Sequence, residues 1–235
     1  MQNHKVVSRE EWLVARKEHL AKEKEFTRLR DKLSQDRREL PWVKVEKEYR
    51  FDGPKGKETL PDLFAGRSQL IIYHFMYGPD WAEGCPGCSF WADNFNGIII
   101  HLNHRDINLV AVSRAPLDKL EAYKKRMGWS FKWVSSFGSD FNRDYHVSFT
   151  PDEMKKGEMF HNFRIGKFPV EEAPGISVFY KNQPGDVFHT YSCYSRGLDM
   201  LNGAYHYMDL VPKGRDEDAL PHSMSWLRRH DRYNE

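Results

Sequence analysis

The sequence predicts an α/β fold in which helices flank a mixed central sheet. Two near-continuous apolar runs, residues 69–77 and 107–113, are typical of strands that are covered on both faces. Two later β-rich runs, residues 175–181 and 187–194, flank "NQPGD", a turn-rich pentapeptide that predicts an antiparallel hairpin. We therefore expect a parallel part and an antiparallel edge within one sheet.

Helical spacing appears between and after the predicted strands. The first helix is predicted as one straight segment over residues 88–104, because four apolar residues recur there at i, i+4, i+7 and i+11. They are Trp91, Phe95, Ile98 and Leu102. A second helix begins near Pro116 and ends at Gly128, and residues 131–137 predict a further strand. The stretch "RGLDMLNGAYHYMDL" predicts a closing helix.

The remaining segments lie outside this alternation. Residues 1–48 form a predicted N-terminal helical arm, which opens with a capping box at Ser8 and Glu11 and carries a narrow apolar stripe. Such a stripe suits packing on the arm's own domain or pairing with a second copy in a homodimer. Residues 49–211 form the predicted α/β domain, with an insertion at about 138–173, and residues 212–235 form a charged tail.

Composition narrows the possible partners and the compartment. The net formal charge is +2 over 235 residues, so the chain carries no strong field for nucleic acid or an anionic membrane. The longest apolar stretch is far shorter than the roughly 18 to 20 residues that span a bilayer. The N-terminal residues lack the pattern of a secretory signal. We expect a cytoplasmic protein that binds neither nucleic acid nor membrane.

Cys85 and Cys88 form a Cys-x-x-Cys motif in the stretch "WAEGCPGCSFWADNF". The motif follows the first predicted strand and opens the first predicted helix, where unpaired N–H groups and about half a positive charge stabilise a thiolate. Pro86 suits this first turn because its missing N–H is not needed there. We expect Cys85 to be the reactive thiol and Cys88, one turn on and facing inward, to resolve a mixed disulfide at Cys85.

Several other residues have both a structural and a functional interpretation. The two cysteines with His101 and His104 come close to a zinc-finger spacing, but a straight helix would separate Cys88 from His101 by about 20 Å. We therefore expect no metal and no cofactor. His74 is expected to be a hydrogen-bonded core histidine, with a proton-transfer role as the alternative, and Cys193 to act as a small apolar residue.

The motif resembles that of thioredoxins. "WAEGCPGC" is similar to their W-A-E-W-C-G-P-C, with Gly84 in place of the second Trp and the middle dipeptide reversed to Pro86-Gly87. "APGISVFYKNQPGDVFHTY" is similar to the thioredoxin segment in which a cis-proline precedes a hairpin. The resemblance implies a thioredoxin-like fold and a substrate groove formed by Trp81, Pro86, Gly87, Ala173 and a cis Pro174.

Nearly the whole chain resembles one family of thioredoxin-like, predicted dithiol-disulfide oxidoreductases, domain of unknown function 899. The matching segments include "YHFMYGPDWAEGCPGCSFWADNF" and "RGLDMLNGAYHYMDLVPKGRDE". The resemblance implies a thiol-disulfide oxidoreductase whose partner is a disulfide-containing protein or a small-molecule thiol. A peroxiredoxin-like thiol peroxidase is the first alternative, although Ala82 stands where peroxiredoxins carry a hydroxyl residue. A non-catalytic thioredoxin-like binding domain or a zinc-binding protein is the second.

Overall fold

An eight-stranded mixed sheet lies at the centre of the computed structural model, which describes residues 4–234. Its strands are β1 (Val43–Lys44), β2 (Arg50–Gly53), β3 (Gly56–Thr59), β4 (Gln69–His74), β5 (Ile107–Ser113), β6 (Lys132–Ser135), β9 (Gly175–Lys181) and β10 (Val187–Tyr194). They lie in the order β1-β10-β9-β4-β5-β6-β2-β3. A separate hairpin consists of β7 (Met159–His161) and β8 (Arg164–Gly166).

Within residues 4–234, seven α-helices accompany the strands. They are α1 (Arg9–Arg38), α2 (Pro86–Ala92), α3 (Ile99–His104), α4 (Leu117–Arg126), α5 (Phe141–Asp144), α6 (Pro151–Lys156) and α7 (Gly203–Met208). Short 3-10 segments span Asp62–Phe64, Ser195–Leu201 and His230–Arg232. Among the described residues, no helix has the length and apolar character needed to cross a membrane.

The pairing of the strands confirms the predicted fold class. β4, β5 and β6 run parallel to one another, and α2, α3 and α4 connect them in sequence. β9 pairs antiparallel with both β4 and β10, so the predicted hairpin forms the antiparallel side of the sheet. The chain therefore has a mixed α/β, thioredoxin-like fold with an N-terminal helix.

The central strands are covered on both faces, as their unbroken apolar character predicts. Alternate residues of a strand point to opposite faces, and β4 sends Tyr73 into one buried cluster and Ile72 into another. In β5, Ala111 and Val112 divide in the same way. The first cluster contains Cys88, so one face of the sheet forms the floor of the Cys-x-x-Cys region.

The helix predicted over residues 88–104 is interrupted, which corrects that prediction. α2 ends at Ala92, turns follow, and α3 begins at Ile99. The Asn94 side chain donates to the backbone carbonyls of Phe90 and Trp91 at 2.9 and 3.2 Å. Side-chain amides that bond the last carbonyls of a helix compete with its continuation, so the polar stretch "DNFNG" ends α2 despite the regular apolar spacing.

The other segments differ from the prediction mainly in detail. The predicted closing helix forms as the 3-10 segment Ser195–Leu201 and then α7, because Asn202 leaves helical geometry and caps α7 through its side chain. The insertion at about 138–173 contains α5, α6 and the β7–β8 hairpin. By contacts, the chain divides into two compact units, Met1–Pro41 and Trp42–Glu235. The predicted boundaries at residues 48 and 211 stay predictions.

The N-terminal unit consists mainly of α1. Ser8 caps it, and the reciprocal hydrogen bonds of the predicted capping box are both present, at 3.1 Å from the Glu11 N–H and 3.0 Å to the Glu11 carboxylate. None of the residues of α1 is buried. The homodimer that the sequence suggests through this arm stays a prediction.

His74 gives the sheet a pH-dependent contribution to stability. It is 1% exposed, its Nε2 is 2.9 Å from the Ser177 hydroxyl, and its ring stacks on Tyr145. Burial, reinforced by the charge of His189, lowers the pKa of His74 to about 3. Below about pH 6.5, this histidine is therefore protonated in the unfolded chain but still neutral in the folded chain. Stability must fall as the pH drops from about 6.5 toward 3.

We expect His74→Gln to flatten this slope. The wild-type contribution amounts to at most about 1.4 kcal/mol per pH unit. The measurement is the free energy of unfolding in urea at several pH values between 4 and 7, for the wild type and the variant. An equal slope in both proteins would contradict a neutral, buried His74, whatever the variant does to absolute stability.

Candidate functional site

The two cysteines of the motif lie at the start of α2, directly after the loop that leaves β4. Cys85 is the N-cap residue, and Pro86 occupies the first turn. Cys85 is partly exposed, whereas Cys88 is buried at 2% exposure, and both are free thiols. The loop is anchored to the strand side by the Cys85 N–H, which donates to the Met76 carbonyl at 3.0 Å. The pair is therefore asymmetric in its access to solvent.

The two thiols also differ in acidity. The hydrogen bond from the Cys88 thiol, helped by the N–H groups of Cys88 and Gly87 and the charge of Arg229, lowers the pKa of Cys85 to about 7 against the effect of burial. Burial, and then the hydrogen bond and charge of Cys85, raise the pKa of Cys88 well above its usual value. Near neutral pH, Cys85 is thus partly ionised to the thiolate, whereas Cys88 keeps its proton.

Cys88 is held by groups on the strand side. Its sulfur accepts a hydrogen bond from the Met76 N–H at 3.3 Å, and the Tyr73 hydroxyl also bonds it. Burial raises the pKa of Tyr73 well above its usual range, so this hydroxyl stays protonated. A neutral phenol on β4 thus supports the buried thiol of this chain.

The C-terminal segment fastens the cysteine loop. Glu83, two residues before Cys85, forms ion pairs with Arg126 of α4 and with Arg229 and Arg232 of the segment that follows α7. Arg229 also donates to the Gly84 carbonyl at 2.7 Å. Sequence reasoning placed this segment in a charged tail and missed these contacts. The signal that was present is the apolar pair Trp226 and Leu227, which marks an attachment point but not its charged neighbours.

A short hydrogen-bonded chain links Arg229 to the helix start. Arg229 Nε donates to the Tyr123 hydroxyl at 2.9 Å, and that hydroxyl lies 2.9 Å from Ser89 Oγ. Ser89 Oγ in turn donates to the Cys85 carbonyl at 2.9 Å. Arg229 therefore binds the Gly84 carbonyl directly, just before Cys85, and is connected to the Cys85 carbonyl through this chain of hydrogen bonds.

A pocket of about 360 Å³ opens beside the two cysteines. Its floor contains Cys85, Gly87 and Cys88, and its walls come from β4, the 3-10 segment Ser195–Leu201, α7 and the C-terminal segment. This volume is at the lower end of the range for small-molecule sites. The arrangement is suited chemically to attack by the Cys85 thiolate on a small electrophile held in the pocket.

The sequence-predicted groove residues are partly brought together. Gly87 and Pro174 line the pocket with Cys85 and Cys88. Pro86, Trp81 and Ala173 are not among its lining residues. Trp81 instead donates its indole N–H to Glu171.

The bond before Pro174 corrects one expectation. The described residues contain no cis peptide bond, so Pro174 is trans and the expected cis form is wrong for this structure. The preceding residue is tied down, since the Ala173 N–H donates to the Val147 carbonyl at 2.9 Å, and Gly175 after it pairs with Tyr194 at the start of β9. Trans is also the lower-energy form of an X–Pro bond, by about 0.5–1 kcal/mol.

The structure places the other residues that the sequence singles out either in the core or on the surface. His74 points to the face of the sheet opposite Tyr73 and Cys88, because β4 alternates. Cys193 is 8% exposed and packs in the same apolar cluster as Cys88. His101 and His104 are exposed on α3. Across residues 4–234 no three His, Cys, Asp or Glu side chains are grouped to hold a metal ion.

Gly84 explains one departure from the thioredoxin motif and yields a prediction. A Cβ at this position would lie 2.7 Å from Phe75 Cε1 and 3.0 Å from Tyr123 Cε1, and both are ring atoms in the packed core. We expect Gly84→Ala to lower stability by about 1–3 kcal/mol through overpacking. Thermal unfolding measures the loss. The matched control is Gly97→Ala, where a Cβ meets nothing within 4 Å, and equal losses in both variants would contradict the packing argument.

The acidity of Cys85 gives a second prediction. Alkylation by iodoacetamide should rise with pH through a midpoint of about 7 and then level off, because only the thiolate reacts. Cys88→Ala removes the largest stabilising hydrogen bond and should move the midpoint upward by about one pH unit or more. Cys88→Ser keeps a donor and should move it less. A midpoint that is the same in all three proteins would show that Cys88 does not stabilise the thiolate.

Solved structures of peroxiredoxins are similar to the chain at low identity. Peroxidoxin BcpB from Mycobacterium tuberculosis is 12% identical with a TM-score of 0.46, over 69% of this chain and 93% of that one. Peroxiredoxin Q from Xanthomonas campestris is 19% identical with a TM-score of 0.42, over 67% and 90%. A mutant of PrxQ from Xylella fastidiosa is 14% identical with a TM-score of 0.42, over 68% and 89%.

The family comparison covers almost the whole length. No curated protein matches the chain. A family model matches residues 1–233, which include the arm, both cysteines and the C-terminal segment that fastens their loop. The resemblance seen in the sequence is therefore confirmed, and the chain belongs to the family described as bacterial protein of unknown function (DUF899).

Proposed function

We propose that this protein is a thiol-disulfide oxidoreductase in which Cys85 is the nucleophile and Cys88 the resolving thiol. The observation that supports it best is the asymmetry of the pair. Cys85 is partly exposed beside a pocket, and its pKa is lowered to about 7. Cys88 is buried behind it, and burial raises its pKa well above the usual value. A cytoplasmic location, where thiols are kept reduced, suits this chemistry.

The reaction divides into two exchanges. The Cys85 thiolate attacks one sulfur of the substrate disulfide, and the second substrate sulfur leaves as a thiolate that takes a proton from water. The Cys88 sulfur then attacks Cys85 Sγ, the remaining substrate thiolate leaves, and the Cys88 proton passes to it. The substrate disulfide is reduced to two thiols, and the Cys85–Cys88 pair is oxidised to a disulfide.

The environment of Cys88 favours its attack only after the first exchange has taken place. While Cys85 is a thiolate, the Cys88 thiol donates a hydrogen bond to it and is a poor nucleophile. Once Cys85 is in a mixed disulfide, that negative charge is gone, and the raised pKa of Cys88 loses one of its causes. Attack by Cys88 is therefore favoured after the first exchange.

Peroxide reduction at Cys85 is the second candidate function. The small volume of the pocket, about 360 Å³, is the observation that favours it. Here the thiolate attacks one peroxide oxygen, Cys85 becomes a sulfenic acid and an alcohol or water leaves. Cys88 then condenses with the sulfenic acid, which gives the same disulfide and one water.

The proposal predicts which variant traps an intermediate. Reduced Cys88→Ser protein, treated with bis(2-hydroxyethyl) disulfide, should gain one covalent 2-mercaptoethanol at Cys85, because no thiol resolves it. Cys85→Ser should gain none at Cys88, and the matched control Cys193→Ser, with both motif thiols present, should accumulate none. Intact-mass spectrometry reads the adduct. Equal trapping at both positions would contradict the assigned roles, and hydrogen peroxide consumed faster than the disulfide would favour the second candidate.

A further inference from the structure

We infer that the substrate disulfide is a small, uncharged, apolar molecule that binds in the pocket beside Cys85, and not a disulfide of a folded protein. The inference rests on the proposed function and narrows its substrate class. It comes from four observations on the pocket: its apolar walls, its paired charges, the position of Met224 and the backbone of two wall residues.

Apolar side chains form most of the wall. They are Tyr73, Met76, Trp91, Phe168, Leu198 and Met224. Four of these belong to the buried cluster that also contains Cys88, and Phe168 and Met224 pack against that cluster. A ligand in contact with the reactive sulfur therefore exchanges water for hydrocarbon and thioether surface, which favours an apolar ligand by roughly 25 cal/mol per Å² buried.

The charged residues of the wall balance one another. Two cations, Arg196 and Arg215, face two carboxylates, Asp199 and Glu217. Arg215 bonds Asp199 at 2.9 Å, and Arg196 bonds the same carboxylate at 3.1 Å. Arg215 also lies 3.9 Å over the ring of Tyr205.

Glu217 is held through one oxygen, Oε1, and its three donors are neutral groups. It accepts hydrogen bonds from the Tyr205 hydroxyl at 3.0 Å, the Met224 N–H at 3.0 Å and the Trp226 indole at 2.6 Å. The two cations and two carboxylates of the wall sum to zero charge, so they offer a charged ligand no net attraction to offset the cost of losing its water in a partly dry site. The polar part of the wall thus favours an uncharged ligand.

Met224 lies over the turn between the two cysteines. A Cβ built on Gly87 would be 3.1 Å from Met224 Cε and 3.6 Å from Cys85 Sγ. A polypeptide disulfide needs its flanking backbone to run across this turn to bring a sulfur to Cys85. The Met224 side chain occupies that path, whereas a small disulfide reaches the sulfur from inside the pocket.

The backbone of the wall is held in an uncommon conformation. Ser195 and Met224 both line the pocket, and both are non-glycine residues with positive φ, 51° and 68°. Such conformations are energetically unfavourable and persist where surrounding contacts impose them, often around ligand sites. For Met224 that contact is the hydrogen bond to Glu217. These contacts therefore hold the C-terminal segment in place as one wall of the pocket.

Dialkyl disulfides of increasing length test the inference on the wild-type protein. The reduced protein is mixed with dimethyl, diethyl or dipropyl disulfide, and each rate constant is divided by that of free N-acetylcysteine with the same compound. We expect the ratio to rise about fourfold for each methylene that enters the pocket. A ratio that stays flat along the series would overturn the inference.

Glutathione disulfide and insulin provide the charged and the protein comparison. On the same normalised scale, both should react at least tenfold more slowly than dipropyl disulfide. Equal or faster reaction of either would overturn the inference but leave the proposed function standing. If none of the disulfides oxidises the Cys85–Cys88 pair, the proposed function itself fails, so the two failures are distinguishable.

A matched pair of variants tests the role of the tail. Met224→Ala keeps a side chain with the same backbone preference but clears the turn, so insulin reduction should rise and the chain-length dependence should weaken. The control Met200→Ala changes a methionine that is 54% exposed and lies outside the pocket lining, and it should change neither. The alkylation midpoint of Cys85 verifies that the site is intact in both. Unchanged insulin reduction in an intact Met224→Ala protein would contradict the blocking role.

Discussion

The hydrogen bond from the buried Cys88 thiol to the Cys85 sulfur is the interaction on which the candidate site depends. It requires Cys85 to stand at the first residue before α2 and Cys88 to lie one turn on, against Tyr73 and Met76. One thiol is thereby made acidic and the other is kept protonated. The same burial that raises the cost of charge on Cys88 makes it a donor, so the two pKa shifts have a common cause.

The parallel strands and the C-terminal segment hold that geometry from opposite sides. β4 supplies Tyr73 and the loop directly after it supplies Met76, both against the pair, and the register of β4 with β5 and β9 is unbroken. Above it, Arg229 and Arg232 bind Glu83 and the Gly84 carbonyl in the loop before Cys85. These charged side chains are 18–41% exposed, so solvent screens part of their attraction. They therefore stabilise the loop by fixing its geometry as much as by their charge. They orient the loop whose last residue carries the reactive sulfur.

The C-terminal segment also forms one side of the pocket beside the two cysteines. Met224 and Glu217 belong to residues that follow the predicted end of the domain, yet they form the wall opposite the cysteines. A fold of this kind positions a thiol pair without specifying what reaches it. Access is decided by what the rest of the chain places over the turn, and here that is an apolar side chain.

The sequence alone predicted the order of strands and helices along the chain from residue 69, the place of the Cys-x-x-Cys pair at a helix start and a difference in access between Cys85 and Cys88. Those features are local: apolar runs, turn residues and a helix start act on their neighbours in the chain. It could not determine the end of α2, because Asn94 bonding to α2 carbonyls overrides a regular apolar pattern. Nor could it place Arg229 and Met224, 144 and 139 residues after Cys85, against the motif. Contacts at that separation leave no periodicity in the sequence, so the contribution of the tail to the site is visible only in the tertiary structure.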